Sequence, residues 1–120
     1  MEPTPAHLAI AHRYASAWNE HDLDSIIALH TEDTDYQLHG RTCAVSGKSN
    51  VRARFRTELD SIPDIRFELL SLHGSADHVV FRSRVTGTLD GRSVTLDAID
   101  LLTLHDGLVR SKHTYLVSPS

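Results

Sequence analysis

A chain of 120 residues has room for one domain and one hydrophobic core, and a net charge of −4 with the histidines neutral gives it no electrostatic hold on nucleic acid. Its one cysteine, Cys43, excludes an internal disulfide and a thiolate cluster. No apolar run approaches the ~20 residues that cross a bilayer, and the Met1-Glu2-Pro3-Thr4-Pro5 start lacks the basic and apolar regions of a signal peptide, so the expectation is a soluble cytoplasmic protein with no membrane partner.

Thr4-Pro5 reads as a helix start, with Thr able to cap the first amides and Pro suited to the first helical position. Ile10, Tyr14 and Trp18 then form one stripe at helical spacing. The helix fades at Asn19-Glu20-His21. Asp22 caps a short second helix from Leu23 to about His30, with Leu23, Ile26, Ile27 and Leu29 facing inward. Thr31 to Leu38 is a short strand or an irregular crossing, and Gly40 to Gly47 is a loop. A third helix starts near Ser49 on the inner stripe Val51, Phe55, Leu59 and Ile62, with Arg52, Arg54 and Arg56 on a solvated face, and stops at Pro63.

Beyond Pro63 the period changes to two. Ile65, Phe67 and Leu69 alternate with Arg66, Glu68 and Leu70. Gly74 to Asp77 is a turn, and Val79 to Leu89 is a strand. Asp90-Gly91 and Asp106-Gly107 are two-residue hairpin signals. They bracket Val94 to Leu104, the central strand, and Leu108 to Val117 closes the sheet. Three helices followed by a four-stranded antiparallel meander make an α+β domain spanning residues 1–120.

The central strand carries a carboxylate at its middle. Parity puts Leu96, Ala98, Asp100, Leu102 and Leu104 on one face, which reads as a cavity wall. A carboxylate there needs a partner or gives up its charge. The opposite face holds Ile99 and Leu101, apolar enough to be covered by a second copy. The last strand is ambiguous. One register turns Lys112, Thr114 and Leu116 inward, where Lys112 needs an acid such as Asp100 or an anionic ligand. A one-residue bulge turns His113 and Tyr115 inward instead. The simplest reading leaves Lys112 solvated near the sheet edge. The nine histidines contain no pair four residues apart, so no metal is expected, and the loops lack phosphate-cradling glycines. No cofactor is called for.

The run Arg13-Tyr14 through Trp18-Asn19, then Asp22 to Leu29 and Asp33, resembles the opening of the nuclear transport factor two-like superfamily. Within it the SnoaL-like and ketosteroid isomerase-like proteins are the nearest in pattern, and Asp90-Gly91-Arg92 to Ala98-Ile99-Asp100 is similar to them as well. The resemblance implies three N-terminal helices packed on a strongly curved antiparallel sheet that forms a conical cavity, the cystatin-like cone, and a homodimer. It also implies a site in which Tyr14 and a protonated Asp100 donate hydrogen bonds to a substrate oxygen. The family's carboxylate base falls on Leu38, which has no basic group. His39, Asp35 and His113 are the candidate substitutes, although on an extended segment Asp35, Gln37 and His39 face away from Tyr36 and Leu38. Pocket lining is expected from Trp18, Tyr36, Leu38, Phe55, Val85, Ala98, Leu102 and Leu116. The implied function is an isomerase-like or polyketide cyclase-like enzyme acting on a small apolar molecule. The alternative is a non-catalytic ligand-binding or dimerisation module of the same fold.

Overall fold

The computed structural model describes residues 5–117. Three helices, α1 (Ala6–Asn19), α2 (Leu23–Ala28) and α3 (Lys48–Ser61), pack on one sheet of six strands. The strands are β1 (His30–Leu38), β2 (Val45–Ser46), β3 (Arg66–Ser75), β4 (His78–Leu89), β5 (Arg92–His105) and β6 (Leu108–Val117), in the spatial order β2-β1-β6-β5-β4-β3. The predicted four-stranded meander is β3 to β6. The sheet is larger and not wholly antiparallel, because β1 pairs parallel to β6 and carries β2 on its outer edge. Among the described residues no helix is long and apolar enough to cross a membrane.

Local chemistry explains the element ends. Pro5 is the N-cap residue of α1, so the helix starts one position later than expected, and the Pro5 carbonyl accepts from the amides of Leu8 and Ala9. The expected Thr4 cap lies outside the described residues. Asp22 caps α2 as predicted, accepting from the Ser25 amide at 3.2 Å and the Ser25 hydroxyl at 2.7 Å. That helix stops at Ala28, and His30 opens β1 instead of closing α2. Both Asp-Gly turns have positive φ at both central residues, 52° and 77° in the first, the geometry that matches strand twist in a two-residue hairpin. Asn19 closes α1 against the sheet. Its side-chain amide donates to the Phe67 carbonyl at 2.9 Å, and its oxygen accepts from the Phe67 amide at 2.7 Å. One asparagine thus supplies the backbone-like partner that the edge strand β3 lacks.

The core lies between the helices and the inner sheet face, with Ala11, Ile26, Val51, Phe55, Val79, Leu102 and Val109 among its most buried members. Strand parity holds for β5, with Ala98, Asp100, Leu102 and Leu104 inward and Ile99 40% exposed. A bulge in β6 resolves the register question in the opposite sense to the one expected of a bulge, with Lys112 and Thr114 inward and His113 and Tyr115 outward. Ser111 pairs with Thr103 and Val109 with Leu104, so Arg110 is the extra residue. Val109 and Lys112 therefore both point inward. The solvated reading of Lys112 is overturned, since only 5% of the residue is exposed. Its carbon stem and charge are buried because their partners arrive from other elements.

Candidate functional site

A pocket of about 410 Å³ opens between α3 and the inner face of the sheet, a volume in the range of small-molecule sites, roughly 300–1,000 Å³. Its walls are largely apolar, from Ile62 and Ile65 after α3 to Val85, Leu96, Ala98 and Leu116 on the strands. Tyr36 from β1, Glu58 from α3, Asp100 from β5, and Lys112 and Thr114 from β6 bring polar groups to it, and Thr42, Arg54, Thr57 and Ser61 line it as well.

Asp100 is 2% exposed. Thr114 pairs with it across the ladder and donates its hydroxyl to the carboxylate. The Lys112 ammonium stands 4.0 Å from the same oxygen. Burial pushes the Asp100 pKa up, and Lys112 and Thr114 oppose that only in part. Lys112 sits in an aromatic cage, with its nitrogen 4.4 Å from the Trp18 ring, 5.0 Å from Phe55, 5.2 Å from Tyr14 and 5.3 Å from Tyr36. Burial alone lowers a lysine pKa, but Tyr14, Asp100 and Glu58 outweigh it, so the group stays protonated. Across the pocket, the Tyr36 hydroxyl donates to Glu58 Oε2 at 2.6 Å. Glu58 is pushed up, first by burial, with Lys112 and the Tyr36 hydrogen bond pulling the other way. One buried cation thus faces two carboxyls, both pushed up first by their burial.

Tyr14 is placed differently from the expectation. It is buried, but it does not line the pocket. It borders a void of about 10 Å³ together with Trp18, Asp100 and Lys112, and the lysine stands between the tyrosine and the pocket. Its hydroxyl is 2.9 Å from Nε2 of His30, whose Nδ1 is 2.8 Å from the Thr34 hydroxyl. Burial, with the charges of Lys112 and Lys48, holds the His30 pKa at about 3, so the ring is neutral at pH 7. A neutral ring carries one N–H. If that proton is on Nε2, it donates to the Tyr14 oxygen and frees the phenolic proton to point onward.

The other expected residues divide clearly. Tyr36, Leu38, Val85, Ala98 and Leu116 line the pocket with Asp100. Trp18, Phe55 and Leu102 do not: Leu102 is fully buried in the core, and Trp18 stacks edge-on against Phe55 at 5.0 Å, beneath Lys112. The three candidate bases meet one another on the opposite face. His39 Nε2 is 2.8 Å from His113 Nδ1, and His113 Nε2 is 3.8 Å from Asp35. His39 also stacks on Tyr115, with 4.3 Å between ring centroids. None of the three lines the pocket, because parity in β1 and the Arg110 bulge turn them outward. Sequence reasoning missed Glu58 and His30, and named Thr114 only as a residue that one register of the last strand turns inward. Glu58 follows Phe55 by three residues and precedes Leu59 and Ile62, so it stands on the shoulder of the inner stripe, where its position carried the signal. Among the described residues no three His, Cys, Asp or Glu groups converge to hold a metal ion.

The SnoaL-like domain family matches residues 11–112. A protein of Jannaschia sp. CCS1, provisionally named a SnoaL-like polyketide cyclase, superposes with a TM-score of 0.85 at 21% identity, covering 97% of this chain and 90% of its own. A nuclear transport factor two-like protein of unknown function from Burkholderia pseudomallei K96243 also gives 0.85, at 17% identity over 95% of this chain and 92% of its own. A provisionally named ketosteroid isomerase from Kribbella flavida DSM 17836 gives 0.79 at 21% identity, over 96% of this chain and 80% of its own. At these identities the structures share the fold. No curated protein sequence matches the chain.

Proposed function

Since the chain belongs to the SnoaL-like domain family, we propose that it is an enzyme that enolises a small apolar carbonyl compound, in the manner of an isomerase or a polyketide cyclase. The observation that carries this reading is Glu58, a carboxyl on the pocket wall opposite Asp100, Lys112 and Thr114. It supplies the base missing at Leu38. The substrate ring lies against Ile62, Ile65 and Val85. Its carbonyl oxygen points to the Lys112 ammonium, the strongest donor in the pocket. Glu58 takes a proton from the carbon beside the carbonyl. The bonding pair moves onto the oxygen, and Lys112 stabilises the enolate in a water-poor site. Protonated Glu58 then returns the proton to another carbon of the conjugated system, so bonds and charge balance. A carboxyl with a raised pKa is a stronger base than a free one and suits this work. Asp100 and Thr114 hold Lys112 in place, and Tyr14 with His30 closes the floor beneath it.

On this reading the pocket is the interior of the cone that the curved sheet makes around α3. The outer sheet face, with Ile99, Tyr115 and Val117 exposed, is where a second copy docks, and the setting is the cytoplasm.

The test uses 2-tetralone in deuterated water. The protein accelerates exchange of the ketone's acidic hydrogens, and Glu58→Gln abolishes that acceleration while 2-naphthol still binds. Equal exchange by the parent and Glu58→Gln sinks the assignment of the base. Binding without any exchange by the parent favours the second reading, a non-catalytic ligand-binding module. That reading draws on the Asp100–Lys112 pair, which already engages the polar floor.

A further inference from the structure

Arg54 is not on the solvated helix face where the arginine pattern put it. It stands beside the inner stripe of α3, half-buried, on the wall of the pocket. Its two neighbours behave as expected: Arg52 meets Asp24 at 2.8 Å, and Arg56 is exposed. Arg54 instead donates through Nη1 to the Cys43 carbonyl at 3.3 Å, which holds the guanidinium against the loop between β1 and β2. Thr42, from the same loop, also reaches the pocket and is exposed. Among the described residues Arg54 forms no salt bridge. A guanidinium has five N–H donors in a planar fork, and this one commits a single donor to protein.

Charge in the pocket points the same way. Lys112 and Arg54 are the cations, and Asp100 and Glu58 are the acids. Lys112 is matched by Asp100. Glu58 is the base of the proposed reaction, and the Arg54 charge acts on it only as the weakest of the influences that hold its pKa down, so the guanidinium keeps its own charge for a ligand on an otherwise apolar wall. A guanidinium with open donors on such a wall favours a ligand with an apolar body and a negative charge.

We propose that Arg54, with the Thr42 hydroxyl, forms a rim subsite for a carboxylate, and that the ligand of this pocket is an apolar monoacid gripped at both ends. Its carbonyl or enol oxygen reaches Lys112 on the floor, and its carboxylate pairs with the Arg54 fork at the mouth. This rests on the oxygen-binding floor described above. It adds the class of substrate: a cyclic or fused-ring keto acid rather than a neutral ketone.

Two probes separate the subsites. 2-Naphthol and 6-hydroxy-2-naphthoate share the fused rings and the hydroxyl and differ by one carboxylate. Each is titrated into the protein at low ionic strength, followed by its own fluorescence. The naphthoate binds about tenfold more tightly than 2-naphthol in the parent, the scale of one charge-assisted contact at a partly exposed site. In Arg54→Gln the ratio of the two affinities falls toward one, and in Arg54→Lys, which keeps the charge but loses the fork, part of it survives. A ratio near one in the parent overturns the rim subsite. So does a ratio that Arg54→Gln leaves unchanged but Lys112→Met removes, because the anion then sits on the floor. If 2-naphthol binds and ionises while the ratio stays at one, the rim inference alone falls. If neither probe binds the folded protein, the oxygen-binding floor falls with it.

Discussion

The two faces of the sheet carry the same kinds of residue in opposite surroundings. The inner face holds His30 against Tyr14, with Asp100 and Lys112 nearby. The outer face holds His113 against His39 and Asp35, with Tyr115 stacked on His39 and the ion pair Arg82–Asp97 further along. On the outer face each polar group keeps part of its hydration, so its contacts are exchanged for water at little net gain. On the inner face Asp100 and Lys112 are almost wholly buried, and each charge depends on a fixed partner from another element. Residue type therefore says little about energetic weight here, and the side of the sheet says much.

The largest expected effect comes from unbalancing the inner pair. Lys112→Met leaves the Asp100 carboxylate buried without its cation and costs about 3–5 kcal/mol in urea unfolding. Combining it with Asp100→Asn recovers most of that loss. A cost below 1 kcal/mol for Lys112→Met alone shows that the inner pair behaves like a surface one and breaks the contrast.

A second effect separates the faces by pH. The folded pKa of His30 is depressed to about 3 from an ordinary 6.5, so unfolded chains bind a proton that folded ones refuse between those values. The stabilisation is full above pH 6.5 and is lost as pH falls toward 3, by up to about 1.4 kcal/mol per pH unit. Unfolding measured from pH 7 to 4 shows this slope in the parent and a shallower one in His30→Gln. Equal slopes mean that His30 is protonated in the folded protein.

The smallest effect is expected outside. Arg82 donates to Asp97 at 3.0 Å, with half of its side chain exposed. Arg82→Ala changes stability by about 1 kcal/mol or less, and added salt erases the difference. A larger, salt-resistant loss indicates that the outer face is desolvated, as it is when a second copy covers it, and the concentration dependence of Tm then tests that directly.

Much of this was legible in the chain. The Asp-Gly turns, the stripes of α1 and α3 and the inward placement of Asp100 follow from local rules of period and turn chemistry. Parity in β1 already turned His39 and Asp35 away from Leu38, and the structure agrees. What was not legible depends on distant partners. The parallel pairing of β1 with β6 has no local signature. Lys112 reads as a surface lysine because its compensation comes from the rings of α1, β1 and α3 and from a strand neighbour's carboxylate. The Arg110 bulge, one residue in length, decides the facing of the residues on either side of it. Glu58 and Arg54 both sit at the border of an amphipathic stripe, where periodicity assigns neither side.

The position of β6 between β1 and β5 bears on how the chain comes to be made. Synthesis proceeds from the N-terminus, so the helices and β1 emerge first and wait for the last of the six strands before β1 gains its neighbour within the main sheet. Until then Tyr36 and His30 face no ladder, and the caging rings of Lys112 have no cation to enclose. The β3–β5 hairpins can zip locally as they appear, but the two halves join only when β6 slots between them, a step dominated by contacts far apart along the chain and therefore slow. The strand that delivers Lys112 and Thr114 to the pocket is thus also the keystone, and a ribosome paused before it holds an open sheet with an exposed apolar edge.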